Sequence, residues 1–586
     1  MASTIPLVRL DAPSGRGGER SFAFSGFERA IEARRPDEVW SALREAEAAV
    51  ASGRHAAGFV AYEAAAGIDP LLATYPPAEL PLVWLGIFAE RRETHACHGE
   101  ASDAAGSARV WRPDLTRAEY EATIGRIRER IGAGDTYQVN FTFRMKSDWE
   151  GQDVAAAYRA LCLAQRASYC AMIDTGRFCV LSASPELFFR LRDRLVTTRP
   201  MKGTHRRGRF IEEDDRFAAA LADSAKERAE NLMIVDLLRN DLGRLAEPGS
   251  VRVRDLFTVE RYETVLQMTT TVEARLRRGA EVTELFAALF PSGSVTGAPK
   301  VSTMKIIREL ETSPRGVYTG AVGYLSPGPE ATWSVAIRTL CIDRSRARAT
   351  FGVGGGITWD SCASEEYEEC LTKARVLETR RPSFELFETM RVDPAAGIRR
   401  RDRHLRRLEG SARYFGFAFD RGRLLEMLRT AEREAEETLR LRLVLARSGA
   451  ATTEATPLDA EATGPLTAAL CDLPVDSADP FLYHKTTHRT IYERRAARRP
   501  DVDQVILRNE RGELTECPIG NLVVERGGRR YTPPLGCGLL PGTFREELLK
   551  SGELAERVLM PDDLQAADRV FLVNSVREWV PLVLRL

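Results

Sequence analysis

The chain has 586 residues, too many for one core, so two or more domains are expected. Hydrophobic residues make up 44% and the 84 basic and 84 acidic side chains cancel, which argues against a general binder of nucleic acid or anionic membrane. The opening "MASTIPLVRLDAPSG" lacks the apolar core of a signal peptide, and no run of about 18 apolar residues is present. Ten scattered cysteines without a C-x-x-C pair predict reduced thiols in a cytoplasm rather than a disulfide framework or zinc site.

Residues 1–110 alternate short apolar runs with Gly and Pro. "GFVAYEAA" and "LVWLGIFAE" predict strands, and "DEVWSALREAEAAVASG" predicts an amphipathic helix ending at Gly53. A further helix is expected within "GSARVWRPDLTRAEYEATIGRIRERIGAGD". From there to about residue 380, strands such as "RFCVLSASPELFFRL" and "GVYTGAVGYL" mix with helices such as "AKERAENLMIVDLLRNDLGRL". Strand-rich, then helical, then strand-rich order predicts an α+β fold. The polar, proline-bearing "LETRRPS" is the expected boundary, and residues 384–586 form an α/β-like segment with a basic helix, "RRRDRHLRRLEGSARYFGF". No internal repeat is visible.

Several residues carry candidate chemistry. Lys202 lies in the basic "RPMKGTHRRG", where a solvated surface cation is the plain alternative. Glu186, in "SASPELFFR", sits at a turn after an apolar strand, where a raised pKa makes a carboxyl a general acid. Glu230 lies on one predicted helix, and Glu366 and Glu369 lie three apart on another. Carboxylates from two helices suit one Mg²⁺, which prefers oxygen ligands and retains waters. "FPSGSVTGAPK" lacks the P-loop tail and "FGVGGGITWDS" lacks the dinucleotide pattern, but both let backbone N–H groups approach an anion. Arg338, in "SVAIRTLC", ends an apolar strand and offers a two-point carboxylate clamp. These features describe an anion pocket with Mg²⁺ and do not name a substrate.

In combination, "TYQVNFT", "SPELFFR", "PMKGTHRRG", "ERAENLMIVDLLRNDLGR", "FPSGSVTGAPKVSTMKIIREL", "GVYTGAVGYL", "AIRT" and "GGGITWDSCASEEYEECLTKA" resemble the chorismate-utilising enzymes. That family includes the component I chains of anthranilate synthase and aminodeoxychorismate synthase. The resemblance covers roughly residues 111–380, with 1–110 as the divergent N-terminal part of a large two-sheet fold. It implies that Gln138, which stands where water-adding members carry a lysine, marks the ammonia-using branch. It implies that Lys202, where anthranilate synthases typically carry alanine, is a nucleophile toward C2 of chorismate, and that its pKa is depressed by nearby Mg²⁺ and the cationic run. Glu186 is then the general acid. Glu230 and Glu369 bind Mg²⁺ with Glu227 and Glu366 in support. Gln138, Thr204, Tyr318, Arg338, Gly354, Gly356 and Lys373 contact substrate. Gln267 replaces a histidine common in relatives, in keeping with no pyruvate loss at this site.

In the last segment, Lys485 in "DPFLYHKTTHRTIYERRA" is a lysine that can form a Schiff base. "GELTECPIGNLVVERGGRRYTPPLGCGLLPGTFREELL" puts Glu516 ahead of a strand and a Gly-Thr at a helix start that suits a phosphate. This arrangement resembles the class IV, fold-type-IV enzymes that use pyridoxal 5'-phosphate (PLP), including aminotransferases and 4-amino-4-deoxychorismate lyase. By that resemblance Lys485 is the cofactor lysine, and Arg407 and Thr543 bind phosphate. Glu516, with Asn521 beyond it, serves the pyridine nitrogen, and Thr389 faces substrate. The family's usual opening strand and loop is missing or very short here. The pairing of the two segments implies amination of chorismate followed by pyruvate elimination to 4-aminobenzoate. The alternative is an aminodeoxychorismate or anthranilate synthase joined to a true aminotransferase. No glutaminase elbow is visible, so a separate glutamine amidotransferase subunit is expected to supply ammonia.

Overall fold

The structure is a computed structural model describing residues 6–13, 19–95, 109–378, 382–458 and 464–585. Most of the expected boundary "LETRRPS", residues 379–381, lies outside them. The chain divides into two compact units, one of Met1–Arg207 with Ala218–Arg381 and one of Gly208–Phe217 with Pro382–Leu586.

The first unit is built on antiparallel pairing throughout. Gln138–Asp148 pairs with Arg348–Ile357, which pairs with Thr339–Asp343 and so with Phe178–Ser184, Tyr169–Asp174 and Leu7–Asp11. From there Ser21–Ala33, Val83–Thr94, His55–Val60, Ala321–Ser326, Glu330–Val335 and Leu187–Arg192 continue the ladder. Leu195–Arg199 and Val265–Arg275 follow, and the latter also pairs with Met201–Arg206. The two expected sheets are thus halves of one hydrogen-bonded network of 18 strands, joined where Leu7–Asp11 meets Ser21–Ala33.

Helices cover the outer faces because their apolar stripes need partners. Val39–Ala51, Ala225–Gly243 and Val282–Leu289 pack on one half. Arg117–Gly132, Val154–Gln165, Lys300–Leu310 and Ala363–Ala374 pack on the other. A third cluster, with Phe24, Phe59, Trp84, Phe88, Ile173 and Val180, draws on strands of both halves. Phe178–Ser184 is buried at every position, which explains why its apolar residues do not alternate with charged ones, its two serines being hydrogen-bonded inside. Helix starts follow local chemistry: Thr116 and Glu119 form a capping box, and Ser224 accepts from the Glu227 N–H.

Two expected strands are interrupted. "GFVAYEAA" is a strand only to Val60, then a 3₁₀ turn Tyr62–Ala64. The cause is distant: buried Glu63 accepts the N–H groups of Arg315 and Gly316 at 2.7 and 2.9 Å, which pulls this stretch out of the ladder. "RFCVLSASPELFFRL" is two strands, because Pro185 has no N–H for the ladder.

In the second unit a four-stranded antiparallel sheet, Gly397–Ile398, Leu386–Asp393, Leu439–Leu445 and Ala451–Pro457, packs its apolar face on helices Arg401–Phe415 and Arg421–Arg433. An eight-stranded mixed sheet contains Gly520–Arg526 between Arg529–Thr532 and Arg569–Asn574. Gly208–Phe217 completes this unit. The Phe210 ring lies 5.3 Å from that of Tyr483, Arg209 donates to the Tyr483 hydroxyl, and Ile211 packs on the helical core.

Candidate active sites

The turn at Pro185 and the strand Met201–Arg206 bring two predicted residues into one recess. Glu186 is 4% exposed, and the Ser294 hydroxyl donates to its Oε1. Burial raises its carboxyl to about 7, against weaker opposing effects from Ser294 and Lys202. Lys202 sits beside Glu186 and Glu230, yet burial holds its amine below the ordinary lysine value. Among its neighbours the cation that adds to this effect is Lys373. The depression expected from the basic run therefore has a different origin, desolvation first.

The glycine run Gly354–Gly356 makes the recess possible. On the paired strands Gly356 faces Asn140, one pleat from Gln138. A Cβ at Gly356 would lie 2.6 Å from Gln138 Nε2 and 2.7 Å from Lys202 Nζ. The bare backbone thus lets both side chains converge on it. Gln138 is fully buried, and both its amide oxygen and nitrogen lack a protein hydrogen-bond partner among the described residues. A buried amide left open in this way is costly unless a ligand completes it.

The carboxylates lie on the two helices predicted for them, Glu227 and Glu230 on Ala225–Gly243, Glu366 and Glu369 on Ala363–Ala374. Burial and the charges of Glu230 and Glu369 hold the Glu227 carboxyl up, and burial with the Glu369 charge does the same for Glu366. Oxygen donors that repel one another suit a hard dication, so these residues fit Mg²⁺. Among the described residues, however, no three acidic, His or Cys side chains are gathered into a group that could hold a metal ion. Glu369 pairs with Lys373 at 2.7 Å, one helical turn away.

Of the expected substrate contacts, Tyr318 is buried, and Arg338 donates from Nη1 to the Lys373 carbonyl at 2.7 Å. Arg338 does not end a strand. It occupies the break between Glu330–Val335 and Thr339–Asp343 with φ +52°, a conformation that non-glycine residues adopt at a cost. Lys373 Nζ donates to the Gly354 carbonyl at 2.8 Å. Thr204 departs from expectation: it is exposed and its hydroxyl donates to Gln267 Oε1 at 3.0 Å. Gln267 also donates to the Gly203 carbonyl at 2.9 Å, so it fastens the strand that carries Lys202.

The second unit holds a cavity of about 420 Å³ lined by Lys485, Thr389, Arg407, Glu516, Asn521 and Thr543, which are the predicted residues of that segment. Burial, then the Arg407 charge, lowers the Lys485 amine to about 8. Burial raises Glu516 to about 7, although the Tyr492 hydroxyl donates to its Oε1 at 2.7 Å. The Leu540 N–H and Asn521 Nδ2 hold its other oxygen at 3.1 and 3.2 Å. Thr543 opens the helix Thr543–Ser551. A lysine amine, a buried carboxyl that exchanges its proton near neutrality, and an arginine beside a helix N-terminus are the groups that PLP requires, so the residues fit it.

Three residues here were missed from sequence. Glu388 is 1% exposed, takes two hydrogen bonds from Arg407 at 2.9 and 2.6 Å, and meets His404 Nδ1 at 2.6 Å. Burial opposes its ionisation, but Arg407 and His404 hold the carboxyl down at about 2. His404 Nδ1 therefore donates, leaving Nε2 to accept from Ser575 at 2.8 Å and Thr543 at 3.2 Å. Helical spacing of His404 and Arg407 was the available signal; Ser575 had none.

Residues 11–379 match the family model for chorismate binding enzymes, and residues 385–584 match that for class IV amino-transferases. The first match spans more than half of the sequence: the chain belongs to the chorismate-binding enzyme family, with a fold-type-IV PLP-enzyme-like domain following. It is 44% identical over 274 residues to aminodeoxychorismate synthase of Streptomyces griseus, covering 46% of this chain and 38% of that one. It is 40% identical over 268 residues to anthranilate synthase component 1 of Aquifex aeolicus, covering 46% of this chain and 53% of that one. The chain thus spans less than two thirds of these relatives. Anthranilate synthase component I from Streptococcus pneumoniae superimposes with a TM-score of 0.54 at 25% identity, over 62% of this chain and 92% of that one. Among the described residues no helix is long and apolar enough to cross a membrane, and the nine described cysteines are free.

Proposed function

We propose that the first unit replaces the C4 hydroxyl of chorismate with an amino group, and that the second expels pyruvate from the 4-amino-4-deoxychorismate so formed to give 4-aminobenzoate. The observation that carries this reading is the meeting of Lys202 and the open Gln138 amide at Gly356, with the Glu186 carboxyl acting on the same Lys202 amine. The Lys202 amine, shifted toward its neutral form, attacks C2. Both ring double bonds shift, C1=C2 toward C6 and C5=C6 toward C4, and the C4–O bond breaks. Glu186, still protonated near neutral pH, gives its proton to the departing hydroxyl, which leaves as water. Ammonia then bonds to C4, both double bonds shift back, and the C2–N bond to Lys202 breaks. Gln138 Oε1 offers an acceptor to the incoming ammonia. Glu227, Glu230, Glu366 and Glu369 would hold Mg²⁺, which supplies positive charge for the substrate carboxylates. Tyr318, Arg338 and Lys373 line the remaining anion contacts. Ammonia comes from a glutamine amidotransferase subunit or from solution.

In the second unit PLP supplies an electron sink when bound. Arg407 and Thr543 would hold its phosphate, and Glu516, fixed by Tyr492 and Asn521, would serve its ring nitrogen. Lys485, with an amine near 8, takes the C4 proton of the substrate, and Thr389 orients that substrate. A second reading has support of its own: the family description over residues 385–584 is that of an aminotransferase, and anthranilate synthases stand among the relatives. The purified chain with chorismate, Mg²⁺, PLP and ammonium separates these. 4-Aminobenzoate plus pyruvate supports both steps; amino transfer to a 2-oxo acid, or anthranilate, supports the second reading.

A further inference from the structure

The charge inventory of the second cavity is unbalanced. Lys485, Arg407, Arg440, Arg489 and Arg577 line it, against Glu516 as its one acidic side chain among the described residues. Arg407 is already committed to Glu388. Arg489 lies over the Tyr492 ring at 4.1 Å and donates to the Pro518 carbonyl, and forms no ion pair with any described residue. Arg440 and Arg577 form no ion pair with any described residue.

Their placement is systematic. In the ladder Arg440 pairs with Arg391 and Arg442 with Thr389, so strand alternation puts Arg440 on the same sheet face as Thr389, with Leu441 and Leu443 turned into the core. Arg577 enters from the turn after Asn574, beside Ser575. The cavity lining also includes the apolar Phe387 and the 49% exposed Ile519. Arginines without counter-ions around one cavity repel each other, and an anionic ligand removes that cost. The phosphate of PLP would answer part of this excess; the exposed Arg440 and Arg577, on separate elements, each remain open to one carboxylate.

We propose that Arg440 and Arg577 are specificity determinants that select, for the second unit, an amine substrate carrying two carboxylates on an apolar ring. The proposal rests on the reading of this cavity as the PLP site. The test uses the full chain loaded with PLP and follows the visible absorption of the cofactor, which reports on this cavity alone. Benzene-1,3-dicarboxylate and benzoate are the probes. The dicarboxylate is expected to perturb the spectrum at a concentration at least about tenfold lower than benzoate. Arg440→Met with Arg577→Met should raise that concentration about 10- to 100-fold for the dicarboxylate, with benzoate changed less than about threefold. The double Lys variant should recover part of the preference, and an unaltered unliganded spectrum shows that the fold persists.

Equal affinity for both probes in the parent, or an unchanged preference in the double Met variant, overturns the proposal. A chain that takes up no PLP overturns the underlying reading and the proposal together. A chain that keeps the arginine-dependent preference yet forms no 4-aminobenzoate supports the selectivity while refuting the lyase reading.

Discussion

Glu186→Gln is expected to stabilise the protein at alkaline pH while disabling it. The Glu186 carboxyl stands at about 7 in the folded chain against an ordinary 4.5. Between those values the folded chain keeps a proton that the unfolded chain has lost, so stability falls as pH rises through this window and the loss is complete above it. The gap corresponds to about 3 kcal/mol. The Gln amide carries no charge and keeps an oxygen for the Ser294 hydroxyl. The variant should therefore match the parent near pH 4.5 and unfold a few degrees higher at about pH 8.5. Thermal unfolding of both proteins at the two pH values, followed by tryptophan fluorescence, measures this. Amination of chorismate should fall about 10²- to 10⁴-fold. A midpoint difference that is the same at both pH values, or a less stable variant at the higher one, would refute the argument that a buried, ionisable Glu186 costs the fold energy.

Other perturbations probe the remaining contacts. Without ammonia, the parent should gain a covalent adduct of chorismate less water, seen by intact mass, and Lys202→Met should gain none. Gly356→Ala should push Gln138 and Lys202 apart, because the added carbon would fall within 2.7 Å of both; amination should drop at least about tenfold with little change in PLP uptake. Glu388→Gln should loosen Arg407 and His404 and weaken PLP binding about 10- to 100-fold in a spectroscopic titration. An unaltered affinity would mean that Glu388 merely fills the core.

The parts of the site that sequence made legible are those whose residues sit in tight local contexts. Glu186 follows a proline that ends a strand, and the four glutamates recur at helical spacing. Thr543 stands directly after the glycine that begins its helix. What stayed hidden depends on long-range closure. Glu388 is one polar residue in "LFETMRV" until a helix lays His404 and Arg407 over it. Ser294 becomes a partner of Glu186 across 108 residues, and Glu63 bends its own segment by reaching Arg315. Strand periodicity carries no trace of either. The same holds for Arg440, which alternation assigns to a face without saying what that face surrounds.

The ten residues Gly208–Phe217 have a consequence for how the second unit forms. They are made during synthesis long before Pro382, yet Phe210 and Ile211 belong to its apolar clusters and the Tyr414 hydroxyl closes on the Gly208 carbonyl at 2.6 Å. Tyr483, which Phe210 and Arg209 meet, is two positions from Lys485. A polypeptide beginning at Pro382 would therefore lack part of its own interior close to Lys485. The order of translation and the order of assembly differ here: the ten early residues, already off the ribosome, must wait for the last third of the chain before their contacts can form.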